Sequence, residues 1–165
     1  MARKPAKADL GGLSETEGRA WSAFLRGHDR IVGQMNDDLE AGKGMPLTHY
    51  DVLRQLAMTP DRSLRMSELA ERVVLSRPGL TGVVKRLEAQ GLVERRRCTE
   101  DGRGLNAVLT PEGRRRLAAA HPTHVRSIRE RFANAYTDQE LRTLAVLLGR
   151  LTGARPSDTR RHAPD

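Results

Sequence analysis

The chain is 165 residues long, with a formal net charge of +8, 3% aromatic side chains and a single cysteine. That length supports one domain with a real core, and barely two. The charge suits an anionic partner, whether nucleic acid, an acidic protein or a membrane surface, and the scarcity of rings disfavours reading single strands by base stacking, so a duplex read by helix and charge fits better.

Residues 1–13, with Arg3, Lys4, Pro5, Lys7 and the Gly11-Gly12 pair, form a basic arm that buries little and is expected to be flexible. Ser14 followed by Glu17 is a capping box that starts a long helix. Trp21, Phe24, Leu25, His28, Ile31, Val32, Met35 and Leu39 then recur at three- and four-residue spacing on one face, and Gly42 and Gly44 end the helix. Pro46 and Thr48 open a second helix carrying Tyr50, Leu53, Leu56 and Ala57, which stops near Thr59-Pro60. A short third helix starts around Ser67 with Leu69, Ala70 and Val73 inward.

Ser76 caps a fourth helix that runs to Gln90, with Leu80, Val83, Val84 and Leu87 on its inner face and Gly91 at its end. The period then changes. Two short strands between Leu92 and Leu109, joined across Glu100 to Gly104, make a basic hairpin. Thr110-Pro111-Glu112 starts a fifth helix carrying Leu117, Val125, Ile128 and Phe132, which Pro122 should kink or locally break. Thr137 and Glu140 form a second capping box, and the last helix carries Leu141, Leu144, Ala145, Leu147, Leu148 and Leu151. Residues 153–165 form a flexible tail.

A short helix, a tight turn, a second helix and a hairpin make a winged helix-turn-helix: a mainly α fold with a small β-hairpin wing. With Leu80, Val83, Val84 and Leu87 inward, Ser76, Arg77, Thr81, Lys85 and Arg86 face solvent, where hydroxyl and cationic groups reach base edges and phosphates in a major groove. Gly79 and Gly82 lower helix propensity by about 1 kcal/mol each relative to Ala. Close approach of the backbone to DNA accounts for them, and close helix packing or simple drift is the alternative. Arg95, Arg96 and Arg97 alternate faces along the strand, so they do not all meet DNA, and Arg95 and Arg97 are taken as the contacting pair. Arg103 at the turn suits a narrow minor groove, and Asp101 is expected to pair with an arginine and shape the loop. A solvated turn without contacts is the alternative.

The stretch Ser76-Arg77-Pro78-Gly79-Leu80-Thr81, then Arg86-Leu87-Glu88 and Gly91-Leu92-Val93, resembles the recognition helix of the MarR family of bacterial regulators. Asp101-Gly102-Arg103-Gly104 and Leu109-Thr110-Pro111-Glu112-Gly113 resemble its wing and the start of its next helix. The resemblance spans residues 14–152. It implies a homodimer in which residues 14–46 and 111–152 form a helical dimerisation region, and residues 47–110 form the winged lobe placed on a palindromic operator. It also implies a repressor released by a small ligand, often an aromatic one, held between the dimerisation region and the lobe. Where the family often has an acidic residue before Arg-Leu-Glu, this chain has Lys85, which strengthens phosphate attraction.

The residues agree on a dimer, because Trp21, Leu25, Phe132, Leu144, Leu148 and Leu151 are more apolar surface than one small lobe covers. Phe24, His28, Tyr50 and His124 are the candidate effector pocket, with packing in the core or the dimer seam as the alternative for Phe24 and His28. Cys98, at the end of a wing strand, reads as a small filler rather than a redox switch. His28, His121 and His124 have no cysteine or carboxylate at ligand spacing, so no metal is expected, and Pro122 counts against a shared face for the last two. No Gly-rich phosphate loop, nucleophile elbow or paired carboxylates point to an enzyme, and no cofactor is implied. With no apolar stretch of membrane-span length and no signal core, a cytoplasmic protein without membrane contact is expected. The competing function is an architectural DNA-binding protein without an effector.

Overall fold

The computed structural model describes residues 12–97 and 104–152. The expected basic arm up to residue 11, the wing tip with Cys98, Asp101 and Arg103, and the expected tail from residue 153 lie outside them. The helices are α1 (Glu15–Lys43), α2 (Leu47–Ala57), α3 (Met66–Arg72), α4 (Arg77–Ala89), α5 (Pro111–Arg131) and α6 (Asp138–Thr152), with a 3-10 turn at Ala133–Ala135 before α6. The strands are β1 (Ser63–Arg65), β2 (Val93–Arg97) and β3 (Leu105–Leu109), forming an antiparallel sheet in the order β1-β3-β2. Among the described residues no helix is long and apolar enough to cross a membrane.

Local signals set most boundaries. Ser14 Oγ accepts from the Glu17 amide while the Glu17 carboxylate accepts from the Ser14 amide, which starts α1. Thr137 and Glu140 repeat the arrangement before α6. The second helix is capped from a distance instead: Pro46 offers no side-chain hydrogen bond, and Asn36 Oδ1 on α1 accepts from the Leu47 amide at 3.0 Å. Gly91 has φ +69°, a left-handed turn that Gly adopts without a Cβ penalty, and it swings the chain from α4 into β2.

The core lies inside the winged lobe, where Tyr50, Leu53, Leu56, Leu69, Leu80, Val84, Leu87, Val93 and Ala107 are buried. Ser63 pairs with Val108 and Val93 with Leu109, so β3 is the central strand and holds both β1 and the wing. The strand β1 was not expected from the sequence, being three residues long and paired far along the chain.

The fifth helix departs from expectation in two ways. It runs unbroken through Pro122, which lies exposed while Ala120 and Thr123 on either side are buried. Packing on both sides offsets the missing N–H, worth about 3 kcal/mol in a helix interior. Its buried face is Gly113, Ala120, Thr123 and Ser127, rather than the larger apolar residues. Small side chains allow close approach to α1: Thr123 Cγ2 is 3.6 Å from the position a Cβ would take at Gly42. Ser127 donates to Asp38 Oδ2 at 2.6 Å, and Arg131 donates to the same carboxylate. Arg131 and Ser127 hold the Asp38 carboxyl below its usual range.

The apolar face of α1 is mostly not core. Met35 and Leu39 are buried, whereas Trp21, Phe24, Leu25 and Val32 are exposed. No residue of α6 is buried, and Leu147, Leu148 and Leu151 stand in solvent.

Candidate nucleic-acid interface

The recognition helix follows from its period. Leu80, Val83, Val84 and Leu87 are all within 3% of full burial, which fixes α4 against the core along that stripe. Ser76, Arg77, Thr81, Lys85 and Arg86 consequently line the exposed face. Ser76 Oγ accepts from the Gly79 amide at 3.2 Å, and Pro78 sits in the first turn where its missing N–H removes no hydrogen bond. Thr81 donates its hydroxyl proton to the Arg77 carbonyl at 3.0 Å, leaving its oxygen lone pairs outward as acceptors. A Cβ at Gly79 would meet only Ser76 Oγ at 3.1 Å, and one at Gly82 only the Arg86 side chain at 3.7 Å. No second helix presses on either glycine, so helix packing does not account for them.

The wing arginines have different partners. Arg95 donates from Nε and Nη2 to Glu88 Oε2 at 2.8 and 2.6 Å, crossing from β2 to α4. Arg96 pairs with Glu94 on its own strand at 2.7 Å. Arg97 is exposed and makes no ion pair among the described residues. The face is therefore positive through Arg77, Lys85, Arg86 and Arg97, while Arg95 and Arg96 are already balanced by carboxylates. Between α4 and the wing lies a cleft of about 290 Å³ lined by Met66, Thr81, Val84, Arg95 and Leu105.

A sequence model described as the MarR family matches residues 43–104. The HTH-type transcriptional repressor YetL of Bacillus subtilis is 34% identical over 73% of this chain and 74% of its own. The chain belongs to the MarR family. Two solved MarR-family regulators from Streptomyces coelicolor have the same architecture. AbsC superposes with a TM-score of 0.80 at 30% identity, over 87% of this chain and 97% of its own. Sco3205, solved in complex with DNA, superposes with a TM-score of 0.80 at 32% identity, over 88% and 96%. This MarR-family chain is thus a DNA-binding transcriptional regulator, and not an enzyme.

In this MarR-family regulator the residues singled out as an effector pocket fall into two groups. Tyr50, 1% exposed, lies against a tilted His124 ring with centroids 4.2 Å apart, and its hydroxyl shares a 2.8 Å hydrogen bond with His121 Nδ1. The two histidines therefore do share a face of α5 across Pro122. Burial pushes the Tyr50 hydroxyl up to about 12 and the His124 imidazole down to about 4, with Arg54 adding to the latter. His124 Nδ1 is buried without a hydrogen-bond partner.

Phe24 instead contacts both His28 and Trp21 on the exposed part of α1. Because α1 and α5 run antiparallel, with Gly42 beside Thr123 and Asp38 beside Ser127, Phe24 lies roughly 25 Å along α1 from the level of His124. One subunit does not bring all four residues together. His121, the partner of Tyr50, is the residue the pocket reading left out, and its only sequence signal is the spacing of three from His124.

Proposed function

We propose that this regulator is a homodimeric repressor of a palindromic operator, released by a small aromatic ligand. The observation that carries the reading is the uncovered apolar surface of α1 and α6: Trp21 is 54% and Leu151 72% exposed, and α6 buries nothing. Two-fold pairing through these faces, with Leu25, Phe132, Leu144 and Leu148, supplies the missing cover. Residues 14–46 and 111–152 are then the dimerisation region, and residues 47–110 the winged lobe. Each dimer presents two α4 helices to one face of the duplex, about one helical turn apart.

On each half-site Ser76, Arg77, Thr81, Lys85 and Arg86 serve the major groove. Arg97 and Arg103 serve the phosphates and minor groove beside it, with Asp101 shaping the wing. The similarity to YetL, a transcriptional repressor, supports the sign of regulation. The ligand sits between α2 and α5 at Tyr50 and His124, where the His124 ring lies against buried Tyr50 and its Nδ1 is buried without a hydrogen-bond partner.

The test compares binding to a palindrome from the regulator's own promoter with binding to random duplex. A preference of at least a thousandfold is expected, on the order found for specific readers. A ratio near one overturns the repressor reading in favour of an architectural protein. A screen by thermal shift, followed by release of operator DNA, tests the ligand.

A further inference from the structure

We propose that Glu88 and Arg95 are a positioning pair that sets the offset between the recognition helix and the wing, and that Arg95 does not act by contacting phosphate. The inference rests on the reading that both α4 and the wing meet DNA.

Val93, Arg95 and Arg97 share one face of β2, since side chains alternate along a strand. Val93 is buried, so this face points toward α4, and Arg95 leaves the core edge directly beneath the end of that helix. There two of its N–H groups converge on the single oxygen Glu88 Oε2, at 2.6 and 2.8 Å. Both side chains are only about one-third exposed, 30% for Arg95 and 35% for Glu88. Arg95 holds the Glu88 carboxyl below the usual range, so the pair is ionised at neutral pH.

Two features make this a positioning contact. It spans the Gly91 turn, whose other ties are all at the base: the Leu92 amide to the Leu87 carbonyl at 2.9 Å, and Thr110 to the carbonyls of Gly91 and Leu92. Glu88–Arg95 is the tie furthest out along β2 toward α4 among the described residues. It is also neutral overall, so it adds nothing to the net attraction for phosphate. Arg95 lines the cleft between Thr81 on α4 and Leu105 on β3, where its guanidinium acts as a spacer. A reader that places a helix in one groove and a strand in the next needs that spacing held, since a displacement of about 1 Å spoils several contacts together.

The test uses the full chain and its operator duplex, measured over a range of salt concentrations. Glu88→Gln removes a negative charge near DNA, so simple electrostatics expects tighter binding. The positioning role instead expects binding weaker on the order of fivefold, the scale of a partly exposed ion pair, with the salt slope unchanged. Arg95→Gln is expected to match it, again without a change of slope. The double swap Glu88→Arg with Arg95→Glu restores the pair with reversed polarity and should recover most of the affinity, which keeps the test decisive if a single variant melts early.

Glu88→Gln binding as tightly as the wild type or more tightly overturns the proposal. So does a slope for Arg95→Gln lowered by about 0.9, the signature of one lost phosphate contact. Arg97→Ala separates the two levels of the reading: it should lower the slope by about 0.9. If it does and the pair variants fail, the positioning role alone falls. If neither Arg97→Ala nor Arg103→Ala changes affinity or slope, the wing does not touch DNA and the pair has nothing to position.

Discussion

Gly113 lies in the first turn of α5, where that helix presses on the turn between α4 and β2. A Cβ there would overlap the Leu92 carbonyl oxygen and would sit 2.8 Å from Leu109 Cδ1 and 3.0 Å from the Leu92 carbonyl carbon. Two of those obstacles are backbone, which does not rotate aside. Gly113→Ala must lever the start of α5 outward by roughly 1 Å, through the hydrogen bonds of Thr110 to Gly91 and Leu92. Overpacking of this kind costs about 1–3 kcal/mol, against a gain of up to about 1 kcal/mol in helix propensity. With backbone as the obstacle the upper end applies, leaving a net loss of about 2 kcal/mol. For a chain of this size the melting midpoint should fall by roughly 4–8 °C, measured at one protein concentration because association shifts the midpoint. Gly42→Ala is the control: its Cβ would meet Thr123 at 3.6 Å, an ordinary contact, so propensity should dominate and the midpoint should hold or rise. A Gly113→Ala protein as stable as the wild type would refute the argument that α5 is seated directly on the wing base.

Arg103→Ala should weaken operator binding and lower the salt slope by roughly one unit; unchanged affinity and slope would remove the wing turn from the mechanism. Leu148→Asp, on the uncovered face of α6, should convert the dimer to monomer in sedimentation while the winged lobe stays folded, and a dimer of undiminished stability would place the seam elsewhere. His124 is held neutral by burial, with its proton affinity near 4 against an ordinary 6.5. The unfolded chain therefore binds more protons between those values, and stability should fall as pH drops from about 6.5 toward 4. His124→Phe keeps a ring against Tyr50 and should flatten that slope in denaturation at several pH values; equal slopes would contradict the burial argument.

The parts legible in the sequence are those written in local chemistry. The period of Leu80, Val83, Val84 and Leu87 fixed which side of α4 faces solvent, and the capping pairs at Ser14, Ser76 and Thr137 marked helix starts. Contacts between distant segments left no such mark. The strand at Ser63–Arg65 exists because β3 has an edge to fill, and three residues carry no period of their own. Periodicity assigns a residue to a face but not to a height along the axis, which is why Phe24 and His28 were grouped with Tyr50 and His124. Pro122 shows the opposite case: a strong local breaker does not break the helix where packing holds both sides. In α5 the large apolar residues suggested the buried face, whereas close packing on α1 selected the small ones. The alternation along β2 did contain a usable clue, since it put Arg95 on the same face as buried Val93.

The bare α6 has a consequence for how the regulator responds to its own abundance. A helix of 15 residues is marginal by itself in water, and this one gains no core contact within its subunit. In the proposed dimer its ordering and subunit association are a single equilibrium. The pool of assembled readers then rises with the square of the chain concentration while monomer predominates, so occupancy of an operator turns on over a narrower range of expression than a monomeric reader would allow.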